Sequence, residues 1–237
     1  MKRLDKLLSD AGVAPRRELK AIIRSGRVEV NGTVVTAPET KVDETAASVA
    51  VDGVPVDTGQ FVYYMMDKPA GVVSATEDRT EETVLDLLPP EVRRRGVFPV
   101  GRLDKDTTGL LLLTNDGAFA HRIISPVSHV EKCYAARVDG IPDETDAAVF
   151  ATGVILRDGT ECLPARLETD GTDRCLVSVR EGKYHQVKRM LASRGKPVLE
   201  LRRLTIGALR LDETLGPGGF RPLTPEERQQ ALRETML

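Results

Sequence analysis

Tryptophan is absent from this chain of 237 residues, and aromatic side chains make up only 4% of it. Indiscriminate binding of single strands through successive stacking platforms is therefore not expected. Cysteine is scarce as well: Cys133, Cys162 and Cys175 are odd in number, widely spaced and form no C-x-x-C. The pattern supports neither a disulfide framework nor a zinc site and reads as three buried thiols. No apolar run approaches the roughly 18 residues of a membrane helix, and "MKRLDKLLSDAG" has no signal-peptide hydrophobic region. A cytoplasmic protein is expected. Internal repeats and low-complexity tracts are missing too.

Net charge is small, −2 from 34 basic and 36 acidic residues, within an ordinary globular composition of 41% hydrophobic and 30% charged residues. Averaged over the chain, that charge argues against a polyanion partner. Its distribution argues the other way. Residues 1–35 and 180–210 together hold half of the basic residues and only one sixth of the acidic ones. Two basic patches on an acidic body suit a polyanion docked on one side.

Leu4, Leu7, Leu8 and Ala11 keep helical spacing up to Gly12, and Leu19, Ile22 and Ile23 make a second apolar face that starts after Pro15 and ends near Gly26. On that second helix Arg16, Lys20, Arg24 and Arg27 recur as a nearly single-signed stripe. A solvated face is the ordinary reading of such a stripe, but a stabilising face would alternate sign to gain i,i+4 pairs. "RVEVNGTVV" follows, with Asn31-Gly32 as a hairpin turn. Gly, Pro and Asp then cluster in "VDGVPVDTGQ", which places a domain boundary near residue 58.

Beyond that point "FVYYMMDKPAGVVSA" reads as a strand, a turn and a second strand, and Glu82–Leu88 reads as a helix stopped by Pro89-Pro90. Further helices are expected at 118–123, 143–151, 184–194 and after Thr224, with strands between 155 and 179. Strands and helices mix without a regular βα repeat. The fold class is α+β, with a mixed, largely antiparallel sheet.

"GRLDKDTTGLLLLTND" sets Asp104 and Asp106 among cations just before the apolar run Leu110–Leu113. A carboxylate there stands on a rigid support, and three readings are open: a D-x-D metal clamp, plain turn chemistry, or a catalytic carboxylate. Arg102 and Lys105 would compete with a divalent metal. Taken alone, Tyr134 is an ordinary half-buried strand aromatic and Lys188 an ordinary helix surface residue.

The same stretch resembles the signature of the pseudouridine synthases. "KPAGVVSA", "EKCY" and "EGKYHQVKRMLASRG" match that family's other motifs in order, and "RLDKLLSDAG" with "RRELKAIIRSGRVEVNG" resembles the S4 RNA-binding domain. One departure is Pro15, near the place where the S4 family usually has a serine. The resemblance is to the RsuA-type ribosomal branch, and it implies an S4-like domain over 1–57 and a pseudouridine synthase catalytic domain over 58–237. It implies conversion of a uridine in RNA to pseudouridine, with no cofactor and no metal, by a protein acting as a monomer.

Carried over by position, the resemblance makes Asp104 the catalytic aspartate, Tyr134 the active-site tyrosine and Lys188 the base that pairs with the aspartate. Asp104 would act as nucleophile at the base's carbon 6 or at ribose carbon 1′, or would remove a proton from C2′. Arg102 would hold the space or phosphate vacated by the extruded nucleotide. Substrate contacts are further expected from Arg16, Arg17, Lys20, Arg24, Arg27, His185 and Arg189. Within the branch, "YHQVKRM" and "RPLTPEE" resemble the small-subunit enzymes, which implies 16S rRNA as substrate. The alternatives are a large-subunit rRNA synthase, a non-catalytic assembly factor, or a metal-dependent transferase using Asp104 and Asp106.

Overall fold

The computed structural model describes residues 1–44, 46–59 and 61–233. They form two compact units, one of residues 1–62, 85–98 and 114–116, the other of residues 63–84, 99–113 and 117–237. That residues 85–98 fold back into the first unit is not visible in the composition. No helix among the described residues is long and apolar enough to cross a membrane.

The first unit holds helices α1 (Leu4–Asp10), α2 (Arg16–Arg24) and α3 (Pro90–Arg93), and strands β1 (Lys2–Arg3), β2 (Val28–Val30), β3 (Thr33–Val34), β4 (Lys41–Val42), β5 (Val49–Val51) and β6 (Val54–Pro55). Leu4, Leu7 and Leu8 of α1 meet Leu19 and Ile23 of α2 and Val28, Val42 and Val49 of the strands in one core. Each such side chain contributes about 1.5–3 kcal/mol when fully buried. Asn31 (φ 52°) and Gly32 (φ 75°) make the β2–β3 turn with the two positive φ values its type requires. Pro15 caps α2 without a side-chain hydrogen bond, so rigidity at φ −57° replaces the serine hydroxyl.

The second unit is built on a nine-stranded sheet. Its strands are β7 (Tyr63–Lys68), β8 (Phe98–Pro99), β9 (Thr108–Thr114), β10 (Lys132–Val138), β11 (Arg166–Thr169), β12 (Arg174–Val179), β13 (Val198–Ile206), β14 (Leu209–Arg210) and β15 (Phe220–Pro222). The path is β11-β12-β10-β13-β9-β7-β15, with β14 on β13 and β8 on β9. Antiparallel pairs join β11 to β12, β12 to β10, β10 to β13 and β7 to β15; β13 and β9 run parallel. Helices α4 (Gly117–Ile124), α5 (Glu144–Thr152), α6 (Gln186–Ser193) and α7 (Pro225–Ala231) complete the unit. Phe150 of α5 and Met190 and Leu191 of α6 pack on Ala136, Val138, Val177 and Val179 of β10 and β12. The α+β class and the largely antiparallel sheet agree with the sequence reading.

Three local expectations fail for identifiable reasons. Residues 82–88 are not helical: Val73 pairs with Thr83, and the Val84 N–H bonds Val73 O, so these backbone groups point across the chain. The helix starts instead at Pro90, where a missing N–H costs nothing. The second strand expected after "KPAG" is reduced to that single bridge at Val73. Finally α6 begins at Gln186 rather than Tyr184, because His185 adopts the left-handed conformation, φ 49° and ψ 35°.

Candidate active site

Asp104 lies on the turn that leads into β9, and the segment 68–74 holds that turn from beneath. Lys68 closes β7 and is 0% exposed, and its Nζ donates to the carbonyls of Pro69 (3.0 Å), Asp104 (3.1 Å) and Thr107 (3.0 Å). Gly71 N–H donates to Lys105 O at 2.8 Å. Ser74 Oγ accepts from Leu103 N–H at 3.0 Å and donates to Leu103 O at 2.9 Å. Four backbone positions of residues 103–107 are thus tied to "KPAGVVS". Burial pulls the Lys68 ammonium down to about 8, while the nearby Asp106 and Asp104 charges pull it up.

The floor of the site is set by strand register. A bulge between Cys133 and Tyr134 puts Tyr134 opposite Arg203 on β13, and Arg203 in turn lies opposite Gly109 on β9. Gly109 (φ +100°) has no tolerance for a side chain: a Cβ there would stand 2.3 Å from Arg203 O and 2.8 Å from its N. Arg203 is 4% exposed; its Nε donates to Leu110 O at 2.7 Å and Nη1 to the Tyr134 hydroxyl at 3.5 Å. Its Nη2 has no hydrogen-bond partner, leaving one buried donor behind Tyr134.

Helix α6 and the residue that precedes it supply the side chains facing Asp104. Lys188 Nζ lies 3.1 Å from Asp104 Oδ2 and 2.5 Å from Asp106 Oδ1, and His185 Nε2 lies 3.3 Å from Asp104 Oδ1. Burial works against the Lys188 charge, but its hydrogen bonds to Asp106 and Asp104 outweigh it and raise its pKa. Asp106 is held below the usual carboxylate range by Lys188, against partial burial. An ammonium standing between the two carboxylates takes the place a clamped divalent cation would need, so the geometry does not fit the D-x-D metal reading.

Asp104, Tyr134, Lys188, His185 and Arg102 line one small cavity of about 80 Å³. The Asp104 side chain is 27% exposed and Asp106 75%, so only the first is sheltered. A larger cleft of about 730 Å³ lies along the opposite face of the same strands, among Ala135, Leu176, Arg137 and Arg202, and meets the turn at Asp106.

The other expected contact residues fall in different places. Arg16 is hydrogen-bonded to the buried Asp5 at 3.1 Å, and Arg27 forms a two-point pair with Asp52 at 2.7 and 2.5 Å. Arg17, Lys20 and Arg24 are exposed and have no ion-pair partner among the described residues. All five belong to the first unit, and the cavity to the second. Arg189 is held by Asp158 at 2.5 Å. Much of the basic segment 180–210 is likewise internal: Arg194 and Lys196 pair with the buried Asp146, and Arg202 makes a two-point pair with Asp67 at 3.0 and 2.8 Å. The three cysteines are free thiols, Cys175 pushed up to about 11 by burial.

Lys68 and Arg203 were not singled out from the sequence. The available signal was charge in strands too apolar to expose it: "YYMMDK" ends in an Asp-Lys pair and "LELRRLTI" carries two arginines at its centre.

Comparison with known proteins identifies the family. Residues 62–193 match the RNA pseudouridylate synthase family and residues 2–47 the S4 domain. The chain is 45% identical over 229 residues to RNA pseudouridine synthase YtzG of Bacillus subtilis, itself uncharacterised, covering 95% of this chain and 96% of that one. It is 43% identical to ribosomal small subunit pseudouridine synthase A of Vibrio cholerae, covering 95% and 97%. Ribosomal large subunit pseudouridine synthase B of Bacillus subtilis is 37% identical, covering 99% and 98%. A crystal structure of a pseudouridylate synthase matches with a TM-score of 0.69 at 33% identity over 98% of this chain and all of that one. With a family match across more than half its length and relatives of this kind along almost all of it, the chain belongs to the RNA pseudouridylate synthase family and carries an S4 domain at its N-terminal end.

Proposed function

We propose that this protein converts one uridine of small-subunit 16S rRNA to pseudouridine, with Asp104 as the catalytic carboxylate. The observation that carries the proposal is the sheltered Asp104–Lys188 pair at 3.1 Å in a cavity shared with Tyr134. In the reaction the bond from N1 of the base to C1′ breaks and a bond from C5 to C1′ forms. The C5 proton is lost and N1 gains one, so composition is unchanged. Asp104 attacks C6 or C1′, or removes the C2′ proton, and each route needs it ionised beside the Lys188 ammonium.

Tyr134 supplies a flat face for the base and an oxygen for proton transfer at C5. Arg102, exposed at the cavity rim, occupies the gap left by the extruded nucleotide. The S4-like domain, residues 1–57, adds phosphate contacts from Arg17, Lys20 and Arg24, while residues 58–237 form the catalytic domain. The protein works as a monomer in the cytoplasm. Small-subunit relatives at 41–43% identity favour 16S rRNA over the large-subunit alternative at 37%.

The test is pseudouridine mapping of total rRNA from cells with and without the protein, by a chemical label that stops reverse transcription. Loss of one stop in 16S rRNA is expected. Loss in 23S rRNA would keep the reaction and overturn the substrate, and no change in either would overturn the proposal.

A further inference from the structure

Tyr184 is the most exposed aromatic of the chain. It is 75% exposed, whereas Tyr63, Tyr64 and Tyr134 are all half-buried, and it joins neither hydrophobic core described above. Yet it is held in place. Its ring stacks on the imidazole of His185, with centroids 3.8 Å apart and planes 19° apart. His185 in turn stands 3.3 Å from Asp104. The Tyr184 carbonyl accepts from Arg189 at 3.4 Å, and Arg189 is anchored on Asp158 at 2.5 Å.

The backbone is shaped to present this ring. His185 has φ 49°, a conformation that costs a non-glycine residue about 1–2 kcal/mol and persists only where neighbouring contacts impose it. The left-handed residue stops α6 from extending back over residues 184 and 185; His185 lines the Asp104 cavity, and Tyr184 stacks on it from outside the cavity lining. One face of the tyrosine ring is covered by His185, and its exposure leaves the other face open.

Building on the reading of the site as a pseudouridine synthase centre, we infer that Tyr184 is the platform on which a nucleobase adjacent to the target uridine stacks. Extrusion of a uridine breaks its stacks with both neighbours, a cost of a few kcal/mol that protein contacts must offset. An aromatic face backed by His185, itself 3.3 Å from the catalytic carboxylate, replaces one of those stacks. A nucleobase is the favoured occupant because it offers a π-face of matching size, and because the exposed Arg102, which lines the cavity together with His185, can take a phosphate of the same strand. The contact is tolerant of base identity, since every base has a π-face. Its effect therefore falls on the extruded state and not on reading of sequence.

The test uses the full-length protein and a synthetic RNA stem-loop centred on the mapped uridine. Wild type is compared with Tyr184→Phe, Tyr184→Leu and Tyr184→Ala on the intact RNA and on RNAs lacking the base at the 5′ or the 3′ neighbour. Leu and Ala should lower kcat/KM by about tenfold, within the range one aromatic stack supports, and Phe should restore it. Removing the base from one of the two neighbours should cost wild type the same factor and cost the Leu variant nothing further. A purely structural role would lower activity equally on every RNA. The inference is overturned if the Leu and Ala variants match wild type, or if base removal and substitution multiply at both neighbours. The underlying reading fails separately, if wild type makes no pseudouridine in the intact stem-loop or in 16S rRNA.

Discussion

Replacing Lys68 by methionine tests whether the Asp104 turn is held from below. The side chains are of similar length, so the fully buried slot stays filled while three hydrogen bonds at 3.0–3.1 Å are lost. Bonds from a charged donor are worth about 1.5–3 kcal/mol each net, and a buried carbonyl left unpaired costs about 1–3 kcal/mol. Against that, methionine removes an ammonium whose burial itself costs several kcal/mol, roughly cancelling the gain from its bonds. What remains is chiefly the unpaired carbonyls of Asp104, Thr107 and Pro69, some of which reach water once the turn loosens. We expect a net loss of about 2–4 kcal/mol in urea unfolding.

The functional effect should be larger than the stability effect. A shift of about 1 Å in a catalytic group can cost about a hundredfold in rate, so kcat should fall by about that much while RNA affinity holds. Amide exchange gives the local readout: the Gly71 and Leu103 N–H groups, bonded to Lys105 O and Ser74 Oγ, should lose protection ahead of the core strands. Wild-type kcat together with unchanged protection at these two amides would refute the reasoning.

Gly109→Ala should prevent close pairing of β9 with β13, since its Cβ would stand 2.3 Å from Arg203 O, and should cost about 3 kcal/mol or more in urea unfolding. A stable, active Ala variant would contradict that register. Asp5 is lowered to about 2, first by its bond to Arg3 and then by Arg16, with burial opposing. A carboxylate depressed in the folded state stabilises above its unfolded value near 4, and that contribution is lost as pH falls through 2. Wild type should therefore lose up to about 2 kcal/mol between pH 4 and 2 that Asp5→Asn does not. Equal acid titrations of the two would refute the pairing. Joint replacement of Arg17, Lys20 and Arg24 by glutamate should lower RNA affinity and flatten its dependence on log salt by about 2, because fewer phosphates are neutralised. An unchanged slope would return α2 to a solvated face.

The sequence and the structure agree best where a local rule has no competitor. Leu4, Leu7 and Leu8 announce α1, Asn31-Gly32 announces its turn, and Asp143 and Thr224 cap α5 and α7 through their own side chains. The helix read into residues 82–88 fails because a single bridge to Val73 outweighs a weak periodic pattern. At the site, Asp104, Tyr134 and Lys188 could be named from motifs that lie up to 84 residues apart, and the fold brings them to one cavity.

What could not be read was the support. Lys68, Ser74, Gly109 and Arg203 act through backbone atoms of distant segments, and nothing in their own neighbourhoods specifies those partners. Most of the basic surplus in 180–210 misleads for a related reason: whether an arginine or lysine is free for phosphate depends on acids such as Asp67, Asp146 and Asp158, which are not its neighbours in sequence.

The most direct test of the central claim is Asp104→Asn, assayed in parallel for pseudouridine formation in 16S rRNA and for RNA affinity. The change keeps shape and leaves Lys188 its pair with Asp106, so binding should stay within about twofold while product formation stops. Turnover within about tenfold of wild type would remove Asp104 from the chemistry and contradict the account.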